Sequence, residues 1–523
     1  MAAGRMVIGA PAVSETVRDG EEYVRSTVEI AEFFRGREAR HEVWFEVGKE
    51  YADGLCTMLC DAYVVGLLRY CMQKGLDVAS ELPMSASLHY NLSTEIIPVL
   101  AKGDPAARRI ALDVPLVPDS EVRAGKAVGT GASCGADSLY SIITHKGYPD
   151  PGHRITHLCI NDVGAFNIVY NFRGRDRVRD AVYARASSLA QELGLPLVRT
   201  FSNFMEAIPQ DHRLSHTFSS CFATLMMRHL WGTYYYSSSG ESLSGFGVDG
   251  FLSRGPDEYE IMLLPAFSGP NLRIYSDGAG VLRTEKLELV ADSEVERKYL
   301  HSCLEAEYNC GKCSKCLRNL LTLDALGKLD LFDGVYDVGM YRGSRERSMM
   351  IMAEGAKRDR FYSDILDLFK ERKPADYEKI TAVRDVVDEA LEEYGRGVDV
   401  RKNVEIISNY VGYSDKCLMV TVHEMMANGG FERNYERIVS MLKGMCSRSW
   451  TYPVVLLIDV YLRGGESRKA FKLARGYSDV KDRRIALRIA RMYRDGTGTR
   501  QSRRKAMLWM KKCAGLKGVD LRN

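Results

Sequence analysis

No stretch of the 523-residue chain approaches the roughly 18 consecutive apolar residues that a membrane span needs. An integral membrane protein is therefore not expected. The segment Met1–Ser14 lacks a basic stretch followed by an apolar core, so no secretory signal is expected and the location implied is cytoplasmic. Apolar residues are not scarce either. At 46% apolar and 27% charged, the composition excludes disorder as the main state, and a collagen-like or mucin-like chain with it. The 13 cysteines are odd in number and irregularly spaced, which does not suit a disulfide scaffold. Reduced thiols are expected, with one tight cluster that points to metal.

Several catalytic signatures are also missing. No G-x-x-x-x-G-K-[ST] phosphate loop and no G-x-S-x-G elbow is found at the Gly-rich turn near residue 130. The second residue is Ala2, not the cysteine that class II glutaminases use after Met removal, and no Cys-His-Glu glutaminase is evident elsewhere. Nitrogen, if used, would come from free ammonia or another chain.

What is present divides into four segments. Residues 1–120 read as an N-terminal α+β region: His41–Val47 as a strand, Tyr51–Gly75 as a helix, and Ile96–Leu100 and Ile110–Leu116 as further strands. Residues 121–330 alternate strands (Lys126–Gly129, Ile155–Ile160, Leu195–Arg199) with helices (Asp137–His145, Asp176–Leu193), the pattern of a doubly wound parallel α/β sheet. Ligands in such sheets sit at the carboxyl ends of the strands. Residues 331–400 read as a charged helical connector, and 401–523 as an all-α region. From residue 451 onward, 19 basic residues face 6 acidic ones, a net +13 in a chain whose total is +3. The preceding 450 residues therefore carry −10.

Two motifs carry chemistry. Gly129-Thr-Gly-Ala-Ser-Cys-Gly-Ala-Asp-Ser138 lies between a strand and a helix. Small residues there let backbone approach a ligand, and a helix N-terminus offers N–H groups to an anion. Ser133 and Ser138 add hydroxyls, and Asp137 could cap the helix or help hold a magnesium-bound phosphate. An ordinary Gly/Ser turn capped by Asp137 is the plainer alternative. Second, Cys303, Cys310, Cys313 and Cys316 put four thiols within 14 positions, three of them spaced C-x2-C-x2-C. Four thiolates suit a closed, structural tetrahedral zinc site, and the same spacing also occurs at iron–sulfur clusters.

The first motif resembles the S-G-G-x-D-S pyrophosphate loop of the PP-loop ATP pyrophosphatase (adenine nucleotide alpha hydrolase-like) superfamily, with Cys134 where that family has its first glycine. With the cysteine cluster following in order, the central 200 or so residues are most similar to 7-cyano-7-deazaguanine synthase-like members. The resemblance implies an ATP-dependent, AMP-forming ligase. A substrate carboxylate or carbonyl is adenylated with release of pyrophosphate, and ammonia, an amine or sulfide is then transferred. It implies ATP bound by Gly131, Ser133, Gly135, Asp137, Ser138 and Asp162, with Asp137 and Ser138 catalytic. The implied cofactors are Mg2+ and a Zn2+ held by Cys303, Cys310, Cys313 and Cys316. The substrate would be a small molecule, nucleobase or peptide. The rival, favoured by Cys134, is a non-catalytic nucleotide-binding adaptor that recruits protein partners through its helical repeats, with a defence system as a further reading by family analogy.

Lesser candidates in this segment are Asn161 to Gly164 as an adenine or ribose contact, Ser202 with Asn203 at the end of the third strand, and Arg283, Glu285 and Lys286 as a basic phosphate contact. For each a turn cap or solvated charge is an equal alternative. His216 and Arg228 bracket a buried helix. Tyr234–Gly240 reads as a polar substrate-facing loop or as a strand end.

A third feature is a repeat. Tyr493 to Gly498 with Arg504 to Trp509, and Tyr461 to Gly465 with Arg468 to Phe471, resemble the Y-x-x-G-x-G and K-A-x-x-W marks of Sel-like helical repeats. A weaker copy starts near Met425. Such arrays imply a protein partner, and the basic charge adds nucleic acid as a possible one. The aromatic interleaving of a single-strand binder is lacking.

Overall fold

The computed structural model describes residues 4–164, 175–239, 260–269, 271–303, 305–427, 430–446, 450–478 and 482–515. Two compact units follow one another, Met1–Asn309 and Cys310–Asn523.

The first unit is built on a mixed sheet of eleven strands. Its first four strands are β1 (Gly4–Ile8), β2 (Ala12–Arg18), β3 (Glu21–Phe34) and β4 (Arg37–Gly48). Asp19-Gly20 and Arg35-Gly36 join β2 to β3 and β3 to β4, all four residues with positive φ. Two-residue turns of that conformation match the right-handed twist of the strands they link. The next strands are β5 (Leu76–Ser80), β6 (Met84–Ser85), β7 (Leu112–Asp113) and β8 (Leu116–Val117), of which β6 and β8 form a separate pair. β9 (Ala127–Gly131), β10 (His157–Asp162), β11 (Leu197–Ser202), β12 (Trp231–Ser237) and β13 (Arg273–Asp277) complete the set.

The order across the sheet is β13-β12-β9-β10-β11-β4-β3-β1-β5-β7, with β2 on β3. From β13 to β11 all neighbours are parallel, β11 meets β4 antiparallel, and β1, β5 and β7 are again parallel. Strands from 1–120 and from 121–330 thus share one sheet.

Alternation along β3 and β4 buries Val28, Ile30, Val43, Phe45 and Val47 in one core with Met6 and Ile8. The helices Asp61–Lys74 and His212–Met226 fill that core, with Phe204 stacked on Phe222 at 4.3 Å. Each large apolar side chain buried this way contributes about 1.5–3 kcal/mol. The helix Ala136–His145 packs on β9 and β12, and Arg175–Leu193 on β10 and β11.

The expected strand at Ile96–Leu100 is instead helical, within Ile97–Gly103 and the turn before it. Leu92, Ile96 and Leu100 are buried at four-residue spacing, so the apolar run has the helical period, and Pro98 sits in the first turn, where its missing N–H is harmless.

The second unit is helical throughout its described residues, from Ser314–Ala325 to Arg503–Gly515. Its last four helices are Tyr452–Arg463, Ser467–Gly476, Arg483–Asp495 and Arg503–Gly515, around a core that includes Tyr461, Ala470, Ala474, Ile489, Tyr493 and Ala506. Among the described residues no helix is long and apolar enough to cross a membrane.

Candidate functional site

β9 runs to β10 and β11 on one side, while β12 and β13 lie on its other side. The order of strand addition therefore reverses between the parallel strands β9 and β12, and the crevice at the carboxyl ends of such strands is where ligands bind in open α/β sheets. The Gly129–Ser138 segment emerges at this point. Gly131 ends β9, and a Cβ built on it would meet nothing within 4 Å. Gly135 is the residue before the helix Ala136–His145 and no side chain caps that helix. The first N–H groups of a helix have no partner within the helix itself.

Cys134 has φ +59, the left-handed region that costs an L-residue roughly 1–2 kcal/mol. Its side chain is fully buried, with Sγ 3.6 Å from the Ala132 carbonyl oxygen, so it turns into the protein. Burial pushes its thiol up to about 12, against a smaller opposing effect of Arg185. Ser133 donates to the Ser138 hydroxyl at 3.2 Å and Ser138 to the Gly135 carbonyl at 3.1 Å.

Asp137, in the first turn of the helix, is the focus of two cations. Arg283 binds both of its carboxylate oxygens, and the Lys286 Nζ lies 3.7 Å from Oδ1. Both cations come from the helix Arg283–Asp292, which packs on Ala136–His145. The Lys286 side chain is wholly buried and Nζ donates to the Ser238 carbonyl at 2.6 Å. Burial holds its pKa below the ordinary lysine value, and Asp137 opposes that shift. Gly278, at φ +70, makes room for it, because a Cβ there would come within 3.0 Å of Nζ.

Other expected residues fall differently. Asp162 ends β10, with Oδ2 accepting from Tyr183 at 2.7 Å and Oδ1 from the Gly164 amide at 3.2 Å, the geometry of a turn cap. Asn161 accepts from Thr200 at 2.8 Å. Asn203 bonds Trp44 and Glu42 of β4, and Ser202 also donates to Trp44. These tie β11 to its antiparallel neighbour. Glu285 accepts from the Leu282 amide at 2.7 Å and closes the start of its helix. Arg228 is buried against Asp61, inside the core. His216 Nδ1 lies 3.0 Å from the Tyr236 hydroxyl at the carboxyl end of β12. Gly240, the last residue of the expected Tyr234–Gly240 loop, lies outside the described residues, and Tyr234–Ser237 are strand.

Two groupings here carry no motif. Ser237 sits 2.9 Å from Ser141 and 3.5 Å from Thr130, lining the β9–β12 junction with hydroxyls. His145 and Asp277 pair at 2.8 Å, with the imidazole stacked on Tyr235 at 3.8 Å. The serine run after Tyr236 hinted at the first. Nothing local marks the second, since its members are 132 residues apart.

The segment 303–316 gathers its thiols. The sulfurs of Cys303, Cys310, Cys313 and Cys316 all lie within 4.8 Å of one another. Tetrahedral zinc with Zn–S near 2.3 Å sets sulfurs about 3.8 Å apart, so the set fits such an ion. Backbone amides donate to the sulfurs: Lys312 at 3.4 Å and Cys313 at 3.3 Å to Cys310, and Glu305 at 3.3 Å to Cys303. Such bonds favour thiolate over thiol. Gly311, at φ +67, makes the tight turn, and a Cβ there would meet Met340 at 2.6 Å. Cys313 directly precedes the helix Ser314–Ala325 and Cys316 lies in its first turn, where the helix dipole also favours negative sulfur.

No protein-family model matches the chain, and no curated protein or solved structure matches it.

Proposed function

We propose that this protein is an ATP-dependent ligase of the PP-loop type. It would bind the triphosphate of ATP at the β9 turn and adenylate a carboxylate or carbonyl substrate with release of pyrophosphate. The observation that carries this reading is the convergence of Arg283 and buried Lys286 on Asp137, at the point where the strand order reverses and beside the open face of Gly131.

In this reading the loop amides, the Ser133 and Ser138 hydroxyls and the two cations hold the β- and γ-phosphates. They stabilise the charge that develops as pyrophosphate leaves. Mg2+, when bound, would share that charge, with Asp137 as the protein carboxylate placed to hold it. Adenylation makes AMP the leaving group for the second step, in which ammonia, an amine or sulfide attacks. Cys303, Cys310, Cys313 and Cys316 would hold zinc in a closed, structural role, since four thiolates complete a tetrahedral shell.

A second reading, a nucleotide-binding adaptor without catalysis, is favoured by one observation. Both oxygens of Asp137 are already engaged by cations, which a magnesium ion must displace.

The test is ATP binding by calorimetry, with and without Mg2+, followed by pyrophosphate release against a panel of nucleobase and peptide carboxylates. Release lost in Asp137→Asn supports the ligase. ATP binding without release across the panel supports the adaptor, and no ATP binding overturns both.

A further inference from the structure

The surface of the last four helices is basic in an unusually one-sided way. In the described segments 450–478 and 482–515 there are sixteen Lys and Arg residues and four carboxylates. Each carboxylate already has a cation: Asp459 with Arg488, Glu466 with Lys469, Asp482 with Arg484, and Asp495 with Arg494. Twelve cations remain in excess, and all twelve are exposed. Arg468, Lys472 and Arg475 follow one another at four- and three-residue spacing on Ser467–Gly476, which places them on one helix face. Arg504 and Lys511, seven residues apart, share one face of Arg503–Gly515, and Arg500 stands in the turn before it.

We infer that this surface binds the phosphate backbone of double-stranded nucleic acid, without reading its sequence. Three points select that partner. Protein interfaces are depleted of charge at their centres, whereas nucleic-acid interfaces are strongly positive. A surface whose carboxylates are all used internally offers nothing to a partner's own cations. Third, three of the aromatic rings here already carry cations: Trp509 lies under Arg475 at 5.4 Å and Lys512 at 4.5 Å, Tyr461 under Lys469 at 5.9 Å, and Tyr493 under Lys505 at 5.4 Å. Tyr461 and Tyr493 are also buried, so these three rings form no open platform for unpaired bases, which favours a duplex over a single strand.

The test uses the full chain and fluorescence anisotropy with labelled duplexes of about 30 base pairs in several unrelated sequences, as DNA and as RNA. Matching single strands and polyglutamate serve as competitors. The expected result is micromolar binding, indifferent to sequence, that weakens by about 10³-fold between about 50 and 200 mM salt. The triple variant Arg468→Gln, Lys472→Gln, Arg475→Gln should lower the steepness of that salt dependence by about two to three in log–log slope. All three side chains are exposed, so the fold is kept, as a thermal melt verifies. DNA preferred over RNA, or the reverse, identifies the source of the duplex. Absence of duplex binding at low salt, an unchanged slope in the folded triple variant, or stronger binding to single strands would overturn the inference. Displacement by polyglutamate at matched charge would do so in favour of an acidic protein partner.

Discussion

The backbone amide of His301 donates to the carbonyl of Cys134 at 2.8 Å. One hydrogen bond thus joins the turn after β9 to the residue two positions before the first metal-ligating cysteine. The turn at 129–138 thus meets the backbone just before Cys303.

Metal should therefore matter to the turn as well as to its own segment. About one zinc per chain is expected by elemental analysis, with no brown colour and no iron. Cys316→Ser should release the metal, lower the melting temperature by several degrees and weaken ATP binding. Structural zinc supplies folding free energy directly. Iron in stoichiometric amount would overturn the zinc assignment.

At Cys134 two effects compete. Cys134→Gly removes the left-handed strain of roughly 1–2 kcal/mol but gives up a small buried side chain of similar worth. Urea denaturation should place this variant within about 1 kcal/mol of the parent. Cys134→Val should lose more than about 2 kcal/mol, because a β-branched residue suits φ +59 poorly.

Lys286→Met should cost about 1–3 kcal/mol of stability, because the buried Ser238 carbonyl loses its Nζ donor, while Arg283 still neutralises Asp137 and the aliphatic stem is replaced by one of similar bulk. Triphosphate binding, measured by calorimetry, should weaken about tenfold or more, as expected for loss of a charge-assisted contact of about 1.5–3 kcal/mol. Unchanged affinity in the folded variant would remove Lys286 from the site.

Alkaline pH should destabilise the first unit. Burial pushes Cys56 up to about 11 and Cys60 and Cys134 to about 12, against an ordinary thiol value of 9.0. Below pH 9 these thiols are protonated in both folded and unfolded chains, and their contribution is fully present. Above it the unfolded chain ionises first, so stability falls as pH rises toward 11–12. At pH 10 the loss is about 1 kcal/mol per thiol. Urea titrations at pH 8 and 10 measure it, and native-state alkylation of Cys134 at pH 8 should be negligible.

In the repeats, Gly498→Ala should unfold the last helical pair. Its φ is +70, and a Cβ would fall 2.0 Å from the Ser467 carbonyl oxygen. Gly444→Ala is the control: it is helical, exposed and open on all sides, and should stabilise by about 0.5–1 kcal/mol. Thermal melts of both variants give the comparison.

The sequence by itself determined what is local. The helix after Gly135, the strands at 127–131 and 157–162, the helical end of the chain and the closeness of Cys310, Cys313 and Cys316 all follow from periodicity and spacing over a dozen residues. It misread Ile96–Leu100, where a short apolar run serves either period and only burial among Leu92, Ile96 and Leu100 decides. Tertiary structure alone decided what depends on distant pairing. The N-terminal hairpins join the parallel strands in one sheet through β4 and β11, and Lys286 reaches Asp137 from 149 positions away. His145 meets Asp277 in the same way. The reason is physical: a hydrogen bond or ion pair is set by position in space, and the order of strands across a sheet is not written in the pattern of any one of them.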